Sequence, residues 1–230
     1  MVETTTRARS FLFISAALTL AAASGDHVPL VVPENGYIAL NVPLTKARVG
    51  SLSTRTTHPH YLALLETALH ASGIANPIQN PYEFCTKGEM LQQSANQDLL
   101  RRLAPMSVSC SHPEVGRWGN RQQGNCGYCF PCIIRQSSMH AAGFKRDEYA
   151  WDILTGPSIH EEHGRGADLR AVLNAVFSNR PDRDVVRNGP LPSTRQRYID
   201  VWRRGNQEIR RWLEDEAQDG LRNAIEAIPS

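Results

Sequence analysis

Residues 109–132 read SCSHPEVGRWGNRQQGNCGYCFPC and hold four of the five cysteines in the chain. The spacing is C-x15-C-x2-C-x2-C, through Cys110, Cys126, Cys129 and Cys132. A C-x2-C turn points two sulfurs at one centre, and Gly127 lets the backbone fold tightly between them. Cys132 comes one step later at an expected helix start, where the N-terminal dipole favours thiolate. Cys110 closes the cage from the far side of a loop. Four soft ligands suit a structural zinc ion with no open coordination position. The alternative is a pair of disulfides. Bridges between cysteines three apart are strained or redox-active, and the two C-x2-C steps cannot both close through Cys129. Disulfide pairing would also leave the fifth cysteine, Cys85, without a partner, which is unusual in a secreted protein. The residues therefore favour zinc, and zinc thiolates imply a reducing, cytoplasmic setting.

That compartment bears on a second stretch, RARSFLFISAALTLAAASGD at 7–26. Arg7 and Arg9 lead an apolar run that ends on small residues, the pattern of a secretory signal. The run is too short to span a bilayer, so no membrane anchor is expected. Glu3 and the threonines in front are unusual for a signal, and Arg7, Arg9 and Ser10 also make a polar start for a buried helix. Residue types alone leave the two readings level. The thiolate argument favours a helix that the fold keeps.

The 230 residues suffice for one sizeable domain or two small ones. A net charge of +2 gives no general reason for a polyanion partner. The lysines are Lys46, Lys87 and Lys145, and arginine supplies all other side-chain positive charge. A short strand is expected within Val28–Val32, then a turn at Pro33-Glu34-Asn35-Gly36 and a long loop from Tyr37 to Thr57. Pro59 opens a helix to about Ser72. Thr86-Lys87-Gly88-Glu89 has capping-box spacing and should start another. Further helices are expected at 98–103, 132–142, 147–154, 166–178 and 194–215. In the last, Tyr198, Val201, Trp202, Ile209, Trp212 and Leu213 form a packed face. Arg203, Arg204, Arg210 and Arg211 read as its solvated side rather than a nucleic-acid surface. His160-Glu161-Glu162-His163 has its histidines three apart, not the four a zinc protease helix needs, and reads as surface.

Taken together, the motifs resemble the 7-cyano-7-deazaguanine synthase (QueC) family. That family's order T-K-x-E, S-C, C-G-x-C-x-x-C-x-x-R is similar to Thr86-Lys87-Gly88-Glu89, Ser109-Cys110 and Cys126 to Arg135. Its R-N-x-x-F-L-x-x-A helix resembles Arg9 to Ala17, with Ser10 for the asparagine. Its R-P-E-F helix start resembles His58 to Tyr61, with His58 for the arginine. The likeness covers roughly residues 3–145 and is greatest to the divergent Qat-type branch of anti-phage defence systems. It implies an α/β fold, a PP-loop ATPase layer of Rossmann type, and ATP with Mg²⁺ as cosubstrate. The chemistry implied is ATP-dependent carboxylate activation and C–N ligation on a deazapurine-like small molecule. Lys87 and Arg9 are then expected at the phosphates, and Glu34, Asn35, Arg55 and His58 at the substrate.

Two departures from that family matter. Its S-G-G-x-D-S phosphate loop has no counterpart here, since Ser24-Gly25-Asp26 is too short and follows the helix. Pro33 to Tyr37 and Arg55 to His58 replace its acidic substrate segment. The expectation is therefore an incomplete Rossmann-like layer over 1–105, a four-cysteine zinc segment over 106–145 and a helical extension over 146–230. A missing N-terminal half or a protein partner would complete it. The alternative function is a non-catalytic, zinc-stabilised subunit of a defence complex.

Overall fold

The computed structural model describes residues 7–44, 56–112, 124–155, 165–178 and 181–228. Among them the chain is mostly helical, with one two-stranded parallel sheet. The two compact units are Met1–Phe84 with Asp182–Trp202, and Cys85–Pro181 with Arg203–Ser230.

The first unit opens with helix α1, Arg7–Ser24. It buries Ile14, Leu18 and Ala21, spaced i, i+4, i+7, while Phe11, Leu12, Phe13 and Leu20 are each more than half exposed. An apolar helix with so much bare surface has room for a covering layer. Among the described residues no helix is long and apolar enough to cross a membrane. Strand β1, Leu30–Val31, pairs in parallel with β2, Ile78–Gln79. The crossover between them carries helix α3, Pro59–Ala71, preceded by a short helix α2, Gly36–Ala39. Pro29 and Pro33 flank β1 and lack N–H donors, and the outward N–H of Ile78 donates to the Glu66 carboxylate at 2.9 Å.

The sequence placed β1 correctly and missed β2 and α2. Two-residue strands carry no alternation to read. Gly36, expected in a turn, begins α2 because Asn35 caps it, with Oδ1 accepting from the Ile38 N–H at 3.0 Å. Behind α2 the Tyr37 ring stacks on Trp202, with centroids 5.0 Å apart. Tyr198 packs on Phe84 and donates to Glu83 at 3.1 Å. Gly36 lies so close to Glu83 that a Cβ would stand 2.0 Å from its carbonyl oxygen. Gly36→Ala should therefore cost at least ~2 kcal/mol in urea unfolding; an unchanged midpoint would show that this contact yields.

The second unit begins with α4, Lys87–Gln92, and α5, Gln97–Leu103, which runs into a 3₁₀ turn at Ala104–Met106. Helices α6, Phe130–Ala141, and α7, Arg165–Phe177, supply Ile133, Ile134, Leu169, Val172 and Leu173 to the core. Helix α8, Arg195–Glu216, contains the boundary between the units; its second half adds Ile209, Trp212 and Leu213. A final helix α9, Asp219–Glu226, buries Leu221. The expected apolar face of α8 is buried, and Arg203, Arg210 and Arg211 are exposed.

One expected helix is corrected. Residues 147–154 do not form an α-helix, and a 3₁₀ turn at Ile153–Thr155 is all the regular structure there. The amides a helix would use are engaged elsewhere. Ala150 N–H donates to the Asn125 carbonyl at 3.0 Å and Trp151 N–H to the Cys126 carbonyl at 3.1 Å. Asp147 meets Arg135 instead of starting a turn.

Candidate metal centre

Two chain segments bring the four sulfurs together: the stretch at Cys110, and the Cys126–Cys129 turn that runs into the first turn of α6 with Cys132. Their Sγ atoms all lie within 4.8 Å of one another. Cys110 to Cys129 is 3.9 Å and Cys126 to Cys132 is 3.8 Å. A tetrahedron with bonds of ~2.3 Å has edges of about 3.8 Å, so the sulfurs stand where one zinc ion would hold them. A disulfide would need them near 2.05 Å. Cys126, Cys129 and Cys132 are buried and Cys110 is half-buried.

Local sequence explains the geometry. Gly127 has φ +92°, and a Cβ there would stand 2.2 Å from the Trp151 carbonyl oxygen. No L side chain suits that turn. Cys129 caps α6, and Pro131 sits in the first turn, where its missing N–H costs nothing. The Phe130 N–H donates to Asp168 of α7 at 2.8 Å, which anchors the helix mouth. Backbone amides face the sulfurs: Ser111 to Cys129 at 3.4 Å, His112 and Cys126 to Cys110 at 3.2 and 3.3 Å, and Cys129 to Cys126 at 3.4 Å. Such donors spread thiolate charge and set ligand orientation.

Crowding also perturbs the thiols. Hydrogen bonds from Cys126 and Cys132 hold Cys129 far below the usual thiol range. The same contacts, with burial, push Cys126 and Cys132 up. Sulfurs this close must share protons until a dication takes the protons' place. The donor set, the spacing and the amide cradle all fit a metal ion.

Arg135 closes α6 onto the same centre. Its Nη2 donates to Asp147 at 2.7 Å and to the Ala104 carbonyl at 2.6 Å, and its Nη1 to Ser107 at 2.7 Å. The side chain is 5% exposed and that of Asp147 is 13% exposed. Sequence reading quoted Arg135 as part of the motif but gave it no role. It missed Asp168 and Asp147, because both act across long chain separations.

The other expected site residues fall in three groups. Lys87 is in the second unit with the cysteines. Its Nζ donates to Ser109 Oγ at 3.3 Å, one residue from Cys110. Thr86 and Glu89 form the expected capping box around it. Lys87 and Ser109 edge a depression of about 420 Å³ walled by Leu91, Leu103, Val108 and Met139. Glu34, Asn35 and His58 belong to the first unit, in local structural contacts. Glu34 Oε1 accepts from the Asn35 backbone and side chain at 3.0 and 2.9 Å. His58 is buried and caps α3, its Nδ1 accepting from the His60 N–H at 3.2 Å. Arg55 and the His160–His163 motif lie outside the described residues, as does the side chain of Arg9.

No family model matches the chain, and neither the curated proteins nor the solved structures show a match to it.

Proposed function

We propose that this chain is a metal-stapled, QueC-like protein that takes part in ATP-dependent activation of a carboxylate. The observation that carries the reading is a convergence. Three motif segments separated in sequence meet in one unit: Lys87 of T-K-G-E reaches Ser109 of S-C, and Cys110 joins the C-G-x-C-x-x-C cluster that leads to Arg135. The family resemblance orders these segments, and their contact gives that order a physical purpose. The metal's role is structural, since four protein sulfurs fill a tetrahedron.

A carboxylate is a poor electrophile. In the proposed reaction its oxygen attacks the α-phosphorus of ATP, pyrophosphate leaves, and ammonia then displaces AMP from the acyl carbon. A fixed ammonium at Lys87 would stabilise the charge that develops on the phosphates. Arg9 is proposed as a second contact to the phosphate or adenylate, and Glu34, Asn35, Arg55 and His58 as contacts to a deazapurine-like substrate. Mg²⁺ would accompany ATP. The small parallel sheet with its crossover helix is what this reading takes as part of an incomplete Rossmann-like layer, in a cytoplasmic protein. An N-terminal phosphate-loop segment or a protein partner would complete it.

The second reading is a non-catalytic subunit of an anti-phage defence complex. It is favoured by the bare apolar side of α1, with Leu12 and Phe13 each 64% exposed, which a partner would cover. ATP conversion to AMP separates the two. The purified chain, alone and with an added phosphate-loop segment, is assayed beside Lys87→Ala. The first reading predicts turnover that falls about 100-fold or more in the variant. Turnover absent in both preparations would leave the second, and turnover unchanged by Lys87→Ala would overturn the role given to Lys87.

A further inference from the structure

Two residues of α8 grip the turn that carries Lys87. Glu208 accepts from the Thr86 hydroxyl through Oε1 and from the Gly88 N–H through Oε2, the latter at 3.3 Å. Arg204, one turn earlier, donates from Nε to Glu89 Oε1 at 2.6 Å and from Nη2 to Oε2 at 3.2 Å. Gly88 leaves space for this. A Cβ there would stand 2.6 Å from Glu208 Oε1. Thr86, Gly88 and Glu89 are therefore each held from α8, and Lys87 lies between them with its ammonium at Ser109.

A plain helix cap does not require this arrangement. Thr86 and Glu89 already close a capping box. Glu208 adds a second carboxylate beside Glu89, in a half-buried place. Burial, with Glu89 adding to it, pushes the Glu208 carboxyl up to about 7; the Thr86 hydroxyl, the Gly88 amide and the Arg204 guanidinium act the other way. The charge state of this carboxyl thus changes near neutral pH, against the backbone of the Lys87 turn.

We propose that Glu208, supported by Arg204, is a positioning residue for Lys87, so that α8 is a working part of the Lys87 site. The inference rests on the proposed function only in giving Lys87 a task, and its test needs no ATP. Reductive methylation with ¹³C-formaldehyde labels Lys46, Lys87, Lys145 and the terminal amine. The Lys87 methyl signal is identified by its loss in Lys87→Arg.

In a pH titration of the full chain, that signal should show an inflection near pH 7 that the Lys145 signal does not share. Glu208→Gln should remove the inflection. Arg204→Gln removes a half-buried partner of Glu89 and takes away a cation that favours the charged carboxyl. It should move the inflection to higher pH. A Lys87 signal with no inflection near neutrality, or one that persists unchanged in Glu208→Gln, would overturn the proposal. So would an unmoved inflection in Arg204→Gln. Loss of ATP turnover with these signals intact would count against the proposed function and not against the positioning role.

Discussion

Stripping the metal from the four-cysteine centre should unfold the segment that it organises. Such a site contributes on the order of 10 kcal/mol. That is comparable to the whole stability of an ordinary domain, ~5–15 kcal/mol, so the second unit has little to replace it with. Among the described residues between Ser107 and Phe130 the buried ones are Cys126, Gly127 and Cys129, two metal-ligand candidates and a glycine, which make no apolar core. A strong chelator at neutral pH should therefore abolish the cooperative melt of this unit and expose the buried Arg135 to trypsin. Cys129→Ser should behave like the chelated protein, because it removes a fully buried ligand. Cys85→Ser is the control. Cys85 stands apart from the cluster, its sulfur 3.8 Å from the Gln93 side chain, and its loss should leave the melt within about 0.5 kcal/mol of the parent. A chelated protein that melts like the parent would show that packing alone holds the segment.

The second large effect is expected at Arg135. Its guanidinium makes four hydrogen bonds, to Asp147 twice, to Ser107 and to the Ala104 carbonyl. Arg135→Met keeps volume but leaves Asp147 buried without its partner, and strips two further acceptors. Breaking a buried pair from one side costs ~3–5 kcal/mol. The double variant Arg135→Met, Asp147→Leu removes both charges and should recover at least half of that loss, because the larger part of the cost is the stranded carboxylate. Urea unfolding of the single and double variants measures both terms. Equal loss in the two would place the energy in Arg135's grip on 104–107 instead of in the ion pair.

The metal centre was legible because its information is local. Spacing alone sets Cys126 and Cys129 on one turn with Cys132 at the helix start that follows, and Gly127 marks the tight backbone of that turn. The capping box at Thr86 was legible for the same reason. What could not be read depends on distant partners. Nothing around Arg135 in sequence announces Asp147 or Ser107. Nothing around Glu208 announces Thr86, which stands 122 residues away in sequence. The expected helix at 147–154 failed on the same ground. Its residues have adequate helical propensity, yet Ala150 and Trp151 donate their amides to the carbonyls of Asn125 and Cys126. Tertiary hydrogen bonds to the cysteine knuckle outweigh a weak local preference there. Strand β2 escaped notice because two residues are too few to show a period.

The account stands most directly on one metal ion held by four sulfurs. Zinc K-edge absorption spectroscopy of the native protein reads that arrangement. The prediction is a single shell of four sulfur neighbours at ~2.3 Å with no nitrogen or oxygen ligand. Protein free of metal, or Cys126, Cys129 and Cys132 recovered as oxidised pairs, would contradict it.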